Sequence, residues 1–407
     1  MKNKILVIGG GAAGMMAAGA AGQRNLEVHL FEKNDKLGKK VFISGKGRCN
    51  FTNAADIDTI IQNIVRNPYF LYSALYSFTN HDLIEFFDKL GVPSKVERGN
   101  RVFPKSEKSN DIVQALYKFL INNHVTVHFN QNVDRILVKN NKVEGIQLDS
   151  GEKIKGDKVI IATGGLSYPK TGSTGHGFKM AKELGHHIIE PLPSLVPIVI
   201  QEAWVKELQG LSLKNVEIIL KEKNKKIRSE FGEMVFTHYG ISGPIILSLS
   251  AYMKPPYSRY LLSLNLKPAL SYEQLDLRIQ KDFKKYSRKQ FKNSLQDLLP
   301  KKMISVIIKL SKIDEDKFVH QITRDERQNL THLLRNLNFS VETLRPIDTA
   351  IVTAGGVDTK EINPSTMESK LIKNLYFAGE VINVDGLTGG FNLQISFSTG
   401  YLAGTNC

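Results

Sequence analysis

The chain has 407 residues, 42% of them hydrophobic, which is enough for two or three domains with their own cores. Its two cysteines, Cys49 and Cys407, lie far apart and exclude a disulfide framework, so we expect a reducing, cytoplasmic setting. The sequence has no uninterrupted apolar run of the ~18 residues that a membrane helix needs. The net charge of +15 favours anionic ligands.

The first 32 residues follow the order strand, glycine turn, helix, strand, which indicates a βαβ unit. Between strand and helix the run Gly9-Gly-Gly-Ala-Ala-Gly14 fits G-x-G-x-x-G, whose glycines allow a tight turn and a close approach to pyrophosphate. Glu32 ends the second strand, where a carboxylate can accept ribose hydroxyl protons. We therefore predict these contacts of a dinucleotide: Gly9, Gly11, Ala12, Ala13, Gly14, Glu32 and Lys33.

Further along, helical patterns cover residues 56–90 and 109–122, and turn residues separate three strands between 133 and about 155. These strands predict a small antiparallel meander. It leads into the apolar strand Val159–Ala162, which ends at Thr163-Gly164-Gly165.

The composition changes after His187. Three prolines indicate a linker into β-rich sequence, followed by a lysine-rich helical region that extends to about residue 343. The α/β character then returns with a strand before Gly379-Glu380. We predict a nucleotide-binding domain in two parts with two insertions, bounded as follows: 1–187 first part, 188–267 β-rich domain, 268–344 helical cap, 345–407 second part.

The elements after the first βαβ unit favour FAD over NAD. A plain dehydrogenase needs neither a meander feeding into Thr163-Gly164 nor the pattern Gly379-Glu380 after a late strand. In the glutathione-reductase-like flavoprotein architecture, both follow strands that end over the FAD. The contacts predicted from this likeness are Val133, Thr163, Gly164, Gly379 and Glu380.

Near the C-terminus a glycine-rich turn opens a second helix. Backbone N–H groups at a helix start stabilise the negative charge that a reduced flavin ring carries. The predicted contacts there are Asp385, Gly390, Asn392 and Leu393.

The segment from Lys39 to Asn53 combines glycines, cations and hydrogen-bonding side chains, so we predict that it contacts phosphate and the flavin edge. Cys49 has no C-x-x-C partner, and we favour a buried bystander over a redox thiol. The residues assigned to the cofactor here are Lys40, Ser44, Gly45, Arg48, Cys49 and Asn50.

Five stretches together resemble one bacterial flavoprotein family, the YhiN-like proteins that include aminoacetone oxidase and BaiN-type bile-acid reductases. They are Ile8–Gly14, Gly45–Asn53, Thr171–Gly175, Phe236–Pro244 and Gly379–Gly390. The resemblance implies an α/β fold in which a β-barrel-like domain and a helical cap interrupt a Rossmann-like, glutathione-reductase-like FAD domain. It also implies bound FAD and a cytoplasmic location. We assign no metal site.

His238 and Tyr239 are the most chemically active side chains of the insertion. A histidine there could move a proton during electron transfer, and an equally simple interpretation is a hydrogen-bond network at a domain junction. We take both residues as catalytic candidates.

The leading hypothesis is an FAD-dependent oxidoreductase that moves two electrons between a small organic substrate and the flavin. Oxygen or NAD(P)H would be the second substrate, without a dedicated NAD(P)H domain, and neither a membrane nor a nucleic acid is expected as partner. The alternative is a flavin-containing tRNA-interacting or tRNA-modifying factor, motivated by 25 basic against 17 acidic residues over 188–344. A third reading is flavin binding without turnover.

Overall fold

The computed structural model describes residues 3–223 and 225–407. Elements are numbered in chain order. The strands are β1 (Lys4–Ile8), β2 (Glu27–Glu32), β3 (Thr52–Asn53), β4 (Ile64–Arg66), β5 (Ser94–Glu97), β6 (Arg101–Pro104), β7 (Thr126–Phe129), β8 (Val133–Lys139), β9 (Lys142–Leu148), β10 (Lys153–Lys155), β11 (Lys158–Ile161), β12 (Ile188–Ser194), β13 (Ile198–Ile200), β14 (Ser212–Glu222), β15 (Lys225–Phe236), β16 (Gly240–Ser242), β17 (Tyr260–Asn265), β18 (Leu337–Leu344), β19 (Val352–Val357), β20 (Leu375–Phe377) and β21 (Asp385–Gly386).

The helices complete the inventory of regular elements. They are α1 (Ala12–Gly22), α2 (Lys39–Ile43), α3 (Ile57–Gln62), α4 (Tyr72–Ser77), α5 (Asn80–Lys89), α6 (Ser109–Asn122), α7 (His176–Glu183), α8 (Pro244–Ser250), α9 (Tyr272–Lys285), α10 (Lys301–Ser311), α11 (Arg324–Arg335) and α12 (Phe391–Asn406). Among the residues that the structure describes, no helix is both long and apolar enough to cross a membrane.

The chain forms two compact units. The first runs to Ser194 and resumes at Pro346, and the second is Leu195–Arg345. The first unit is built on a five-stranded sheet in the order β20-β11-β1-β2-β7, in which every neighbouring pair is parallel. The central strand β1 is an apolar run because it pairs on both sides and is covered on both faces: Val7 lies opposite Ile160 and Leu30 and is fully buried. The predicted Rossmann-like fold is confirmed.

Helices α1 and α12 approach each other until their backbones touch. A Cβ at Gly400 would lie 2.4 Å from the carbonyl oxygen of Ala13, and one at Gly404 would lie 2.3 Å from that of Ala17. Small residues on both helices permit this approach, which explains the Ala- and Gly-rich sequence of α1. The contact fixes the start of one helix relative to the start of the other.

The proline-rich segment after His187, which we predicted to be a linker, is strand β12. It pairs antiparallel with β19, and the register shifts between Ile189 and Leu192. Pro191 lies within this irregularity and Pro193 follows it. Proline is tolerated in a strand at edges and bulges, where its missing N–H leaves no ladder bond unmade, so this two-stranded sheet accommodates both residues.

The second unit contains a closed barrel in the order β13-β16-β15-β14-β17-β18, together with helices α8 to α11. We predicted helix up to about residue 343, which is wrong for β18. That strand closes the barrel by pairing with β17 and β13, and its burial alternates, with Leu337, Phe339 and Val341 buried. The period-2 pattern was present in the sequence but was short beside the lysine-rich helices before it.

Candidate functional site

A cavity of about 500 Å³ lies in the first unit at the carboxyl ends of four parallel strands. Its wall contains Gly9 after β1, Glu32 at the end of β2, Ala162 after β11 and Ala378 after β20. Open parallel sheets bind their ligands in this position. We call this space the first cavity.

The first cavity brings together most of the residues predicted to bind the cofactor, although they come from four separate parts of the chain. Those in its wall are Gly9, Gly11, Ala12, Ala13, Glu32, Lys33, Lys40, Ser44, Gly45, Val133, Thr163, Gly164, Glu380, Asn392 and Leu393.

Three glycines at the first turn are favoured for different structural reasons. Gly9 has φ +104°, and a Cβ there would lie 2.6 Å from the carbonyl oxygen of Ala162. A Cβ at Gly14 would lie 1.8 Å from the carbonyl oxygen of Gly9, so α1 can follow the turn only with glycine at this position. A Cβ at Gly11 would meet no atom within 4 Å, so at this position the backbone stands open toward the cavity.

Glu32 is buried at the cavity edge and held by three donors. Its Oε2 accepts from the backbone N–H of Gly10 at 2.7 Å, and its Oε1 accepts from the backbone N–H and the side-chain amide of Asn34 at 2.8 and 2.6 Å. A carboxylate offers about four acceptor positions, so capacity for a further donor remains. The fixed carboxylate suits the hydroxyl groups of a ribose.

Glu380 lies at the centre of a second polar network. Its Oε2 accepts from the Lys40 ammonium at 2.5 Å, and its Oε1 accepts from the Ser167 hydroxyl at 2.8 Å and the Thr353 N–H at 2.7 Å. Burial alone would raise the pKa of Glu380, but the Lys40 ammonium and these hydrogen bonds lower it below its ordinary value. The network ties the loop after β20 to α2 and keeps a negative charge beside the cavity.

The start of α12 enters the wall through Asn392 and Leu393. Gly390 precedes the helix with φ +99°, and a Cβ there would lie 2.2 Å from the carbonyl oxygen of Thr52. The Asn392 side chain accepts from the N–H of Gly386 at 2.9 Å and donates to its carbonyl oxygen at 2.7 Å, which braces the turn. The first N–H groups of a helix have no partner within the helix, so both α1 and α12 present such groups to one cavity.

Seven of the predicted cofactor residues lie outside the wall, and three of them are glycines that shape the backbone behind it. A Cβ at Gly379, for example, would lie 2.7 Å from the Cβ of Ala13. The seven are Gly14, Arg48, Cys49, Asn50, Gly379, Asp385 and Gly390.

Arg48 does not face the first cavity. Its guanidinium stacks 4.2 Å from the ring centroid of Phe103, forms an ion pair with Glu97 and lies 3.2 Å from Glu107. Instead of the predicted phosphate contact, Arg48 ties its loop to the sheet that contains β5 and β6. Asp385 is fully buried and accepts from the Arg66 guanidinium and the Ser194 hydroxyl, so it joins β21 to β4.

Cys49 is fully buried, and both cysteines are free. Burial raises the pKa of the Cys49 thiol to about 12, although a hydrogen bond with Ser44 opposes the shift. A thiol that stays protonated at neutral pH is a poor nucleophile. This agrees with our preference for a buried bystander.

Several wall residues were missed by the sequence reasoning. The loop 171–175 was noted as a family motif but received no role, yet Thr171, Gly172, Ser173 and His176 line the cavity. The glycines that precede the next helix were the sequence signal that could have identified this loop as part of the site. Of the five lysines in the wall, Lys39, Lys40 and Lys46 lie in the segment predicted to contact phosphate and Lys33 was assigned directly, so only Lys36 was missed.

The wall fits an anionic dinucleotide. It holds five lysines against two carboxylates, Glu32 and Glu380. Burial lowers the pKa of the Lys33 ammonium, while Glu32 opposes the shift, so an added anion would favour the charged form. Thr163 Oγ1 is buried and finds no hydrogen-bond partner among the described residues. With two helix starts, these groups suit a diphosphate and a ring that carries carbonyl oxygens.

The two catalytic candidates lie in the second unit. His238 is exposed, and its ring meets that of Tyr239 edge-on with centroids 4.7 Å apart. The Arg345 guanidinium lies 4.7 Å from the Tyr239 ring centroid. Their role in catalysis stays a prediction.

The chain matches the HI0933-like protein Rossmann domain family over residues 3–406. It is 32% identical over 397 residues to the ribosomal RNA dihydrouridine synthase of Escherichia coli, covering 97% of this chain and 96% of that protein. It is 29% identical to the 3-dehydro-bile acid delta(4,6)-reductase of Clostridium scindens, covering 99% and 98%.

Among solved structures, the chain is similar in fold to a flavocytochrome c3 fumarate reductase in its open conformation. The TM-score is 0.50 at 18% identity, and the match covers 99% of this chain and 78% of that one. The family match spans nearly the whole chain and agrees with the glycine turns, the acid after β2 and the two helix starts of the first cavity. The protein therefore belongs to the HI0933-like Rossmann-domain family and is an FAD-dependent oxidoreductase.

Proposed function

We propose that this protein reduces a carbon–carbon double bond conjugated to a carbonyl, and that its substrate is a uracil base of ribosomal RNA. The observation that carries the proposal is the match over 97% of the chain to a relative named for making dihydrouridine in ribosomal RNA. Forming dihydrouridine adds two hydrogens across the C5–C6 bond of uracil, which is conjugated to a ring carbonyl. A bile-acid delta(4,6)-reductase is likewise named for reducing carbon–carbon double bonds. Both names therefore describe the reduction of a double bond.

Charge supports an RNA substrate. The second unit holds 26 lysines and arginines against 16 acidic residues, a surplus of 10 out of a net charge of +15 for the whole chain. Proteins that bind nucleic acids draw most of their affinity from such cations, which neutralise phosphates. This favours an RNA substrate over a small organic one.

Exposed aromatic rings give a second reason. Tyr69, Tyr72 and Tyr76 have relative exposures of 76%, 38% and 57%, and their rings stack in sequence with centroids 5.8 and 6.2 Å apart. We call these three residues the tyrosine ladder. Aromatic faces of this kind stack the unpaired bases of single-stranded RNA. The ladder begins close to the first cavity, because Asn67 donates to the carbonyl oxygen of Asn383, next to the wall residue Val384.

In this proposal the protein binds and orients, and the cofactor transfers electrons. Reduced FAD supplies a hydride when it is bound. The start of α1 and Lys33 would hold the diphosphate, Glu32 would hold the adenosine ribose, and the start of α12 would face the ring. The carbon next to the one that takes the hydride also needs a proton.

The test uses FAD-loaded protein reduced with dithionite under nitrogen and ribosomal RNA from cells that lack the gene. After nuclease digestion, mass spectrometry should show dihydrouridine only in samples that contain protein. Transfer RNA and a 3-oxo-Δ4 steroid serve as competing substrates. Dihydrouridine in none of the RNAs, together with rapid reoxidation by the steroid, would replace this substrate with the second candidate.

That second candidate is a small conjugated ketone, favoured by the 29% identity to the bile-acid reductase. For either substrate we propose action in the cytoplasm, where ribosomal RNA is present and thiols stay reduced. The two free cysteines agree with that setting.

A further inference from the structure

A second cavity of about 1010 Å³ adjoins the first cavity within the first unit. The two share part of their walls, and no part of the mechanism above uses the second one. The shared residues are Lys36, Lys39, Ile43, Tyr168 and Thr171. A ligand in the second cavity would therefore reach the FAD site at this boundary.

The second cavity is lined by aromatic rings in contact with solvent. Phe42 and Tyr117 have relative exposures of 52% and 38%, and Tyr168 is partly exposed at the boundary. Single exposed apolar residues are common, but several that line one concave site mark a binding surface. Flat rings of this kind stack on heteroaromatic bases.

The cations of the second cavity suit phosphate groups. Lys36 and Lys170 are exposed, and within residues 3–223 and 225–407 neither forms an ion pair. Asp35 lies in the same wall, but Lys39 neutralises it at 2.8 Å. The wall also contains the carboxylate of Asp348. Its three lysines therefore outnumber its two carboxylates.

The boundary between the cavities is held in an unusual backbone conformation. Tyr168 has φ +52°, a left-handed value that is rare for an aromatic residue, and its carbonyl oxygen accepts from both the N–H and the hydroxyl of Thr171 at 2.8 and 2.7 Å. Such conformations persist where the surroundings enforce them, and they cluster at functional sites. On the other side of the boundary, Ile43 is 42% exposed and directly precedes the wall residue Ser44.

We propose that the second cavity binds the reductant of the enzyme, a reduced nicotinamide dinucleotide. Stacking rings and unpaired lysines are what a molecule with two bases and a diphosphate requires. The nicotinamide ring would lie at Ile43 and Tyr168, where it can reach the FAD site, and the adenosine would lie beside α6 at Gln114 and Tyr117. The dinucleotide gives up one hydride, which carries two electrons, to bound FAD and leaves in its oxidised form. The proposal depends on bound FAD and not on the identity of the second substrate.

The test compares Tyr117→Ala and Lys170→Glu with two matched controls, Ile121→Ala and Lys182→Glu. Ile121 is 52% exposed on the same helix as Tyr117 but lies outside the second cavity, and Lys182 is an exposed lysine outside that cavity. Calorimetry gives the dissociation constants of NAD+ and NADP+ for each FAD-loaded protein. Anaerobic stopped-flow gives the NADH or NADPH concentration that half-saturates flavin bleaching.

We expect each of the first two variants to raise both constants about tenfold, as removing one stacking ring or one phosphate-binding cation does. The control variants should match the wild type, and dithionite should bleach every variant at the wild-type rate. The dinucleotide with the tighter wild-type constant identifies the form used.

Wild-type constants in both Tyr117→Ala and Lys170→Glu would overturn the proposal, as would a wild-type protein that neither NADH nor NADPH binds. Weaker RNA binding with unchanged dinucleotide binding in Tyr117→Ala would also overturn it and would assign the cavity to RNA. Failure of the dithionite-reduced protein to make dihydrouridine would contradict the proposed substrate, but it would not bear on the dinucleotide site.

Discussion

Glu32 combines a structural and a binding role in one carboxylate. It accepts from the N–H of Gly10 and from both donors of Asn34, and this fixes the turn before α1 and the chain after β2. The same oxygens border the first cavity, where a ribose would meet them. A substitution at this position therefore changes both the retention of FAD and the stability of the turn.

We predict that Glu32→Ala weakens FAD binding roughly 10- to 100-fold, because it removes charged hydrogen bonds to the ribose. It should also lower the free energy of unfolding of the FAD-free protein by about 1–3 kcal/mol, since buried donors lose their acceptor. Titration of FAD-free protein with FAD and urea unfolding measure the two effects. Glu32→Gln, which keeps an acceptor oxygen, should lose less of both, and undiminished FAD affinity in Glu32→Ala would contradict the ribose role.

The ion pair of Glu380 should make the free energy of unfolding depend on pH. Its pKa in the folded protein lies below the ordinary value of 4.5, so its ion pair with Lys40 stabilises the fold above that pH and is lost as the pH falls through the lower folded value. At pH 7 Glu380→Gln should cost about 2 kcal/mol of the free energy of unfolding. The difference from the wild type should shrink below pH 4.5, measured by urea unfolding of FAD-free protein. A difference that grows in acid would contradict the assignment.

At the residue scale, the sequence could predict contacts made by backbone and by short motifs. Gly9 and Glu32 have fixed positions relative to a strand end, so their place in the cavity follows from the chain order. Arg48 could not be placed in this way. Its partners Glu97 and Glu107 lie 49 and 59 residues further along the chain. A long cation-bearing side chain gives no sequence signal for the direction in which it points.

At the scale of elements, the contact between α1 and α12 sets the distance between the two helix starts that face the FAD cavity. Gly400 lies against the backbone of α1, with room for hydrogen only. We predict that Gly400→Ala lowers the free energy of unfolding by about 1–3 kcal/mol, although alanine favours an isolated helix by about 1 kcal/mol. FAD affinity should fall as well, measured by flavin fluorescence.

Thr405→Ala is the matched control, because it lies on the same helix and its hydroxyl donates only to carbonyl oxygens within that helix. It should leave FAD affinity unchanged. Equal stability of Gly400→Ala and the wild type would show that the helices can separate without cost.

The tyrosine ladder allows the RNA hypothesis to be tested with one short element. Replacing Tyr69 and Tyr76 with alanine should weaken binding of single-stranded ribosomal RNA fragments roughly tenfold or more, since each stacked base contributes about 1–3 kcal/mol. Phenylalanine at both positions should preserve binding, because the ring face and not the hydroxyl makes the contact. Fluorescence anisotropy with a labelled fragment measures both. Unchanged binding in the alanine variant would exclude the ladder from the RNA site.

Elements with a strong local pattern were predictable, and those set by tertiary context were not. The meander β8–β10 follows from alternation and turn residues, and helices α1 and α12 follow from the glycine turns that precede them. Strand β12 contains two prolines and forms only because β19 offers a partner beside an irregular register. Strand β18 has only a short period-2 pattern, and its place in the barrel is set by pairing with β13 and β17.

At the scale of the molecule, the uneven distribution of charge between the two units predicts how salt concentration should affect RNA binding. Within the second unit, the segment at the end of α9 exposes Lys281, Lys284, Arg288 and Lys289. The control set Lys139, Lys142 and Lys153 is also exposed but lies on the meander of the first unit. If RNA contacts the second unit, only the first set should change the salt dependence of binding.

Reversing Lys281, Lys284 and Arg288 to glutamate should therefore make the slope of log affinity against log salt concentration less steep, by about 0.7 for each RNA phosphate that the protein no longer neutralises. The reversal of Lys139, Lys142 and Lys153 changes the net charge equally and should leave that slope unchanged, because those lysines lie outside the surface assigned to RNA. Anisotropy titrations across a range of salt concentrations give both slopes. Equal effects of the two sets would mean that the overall charge alone attracts RNA, and a flat wild-type slope would leave the ribosomal substrate without its electrostatic support.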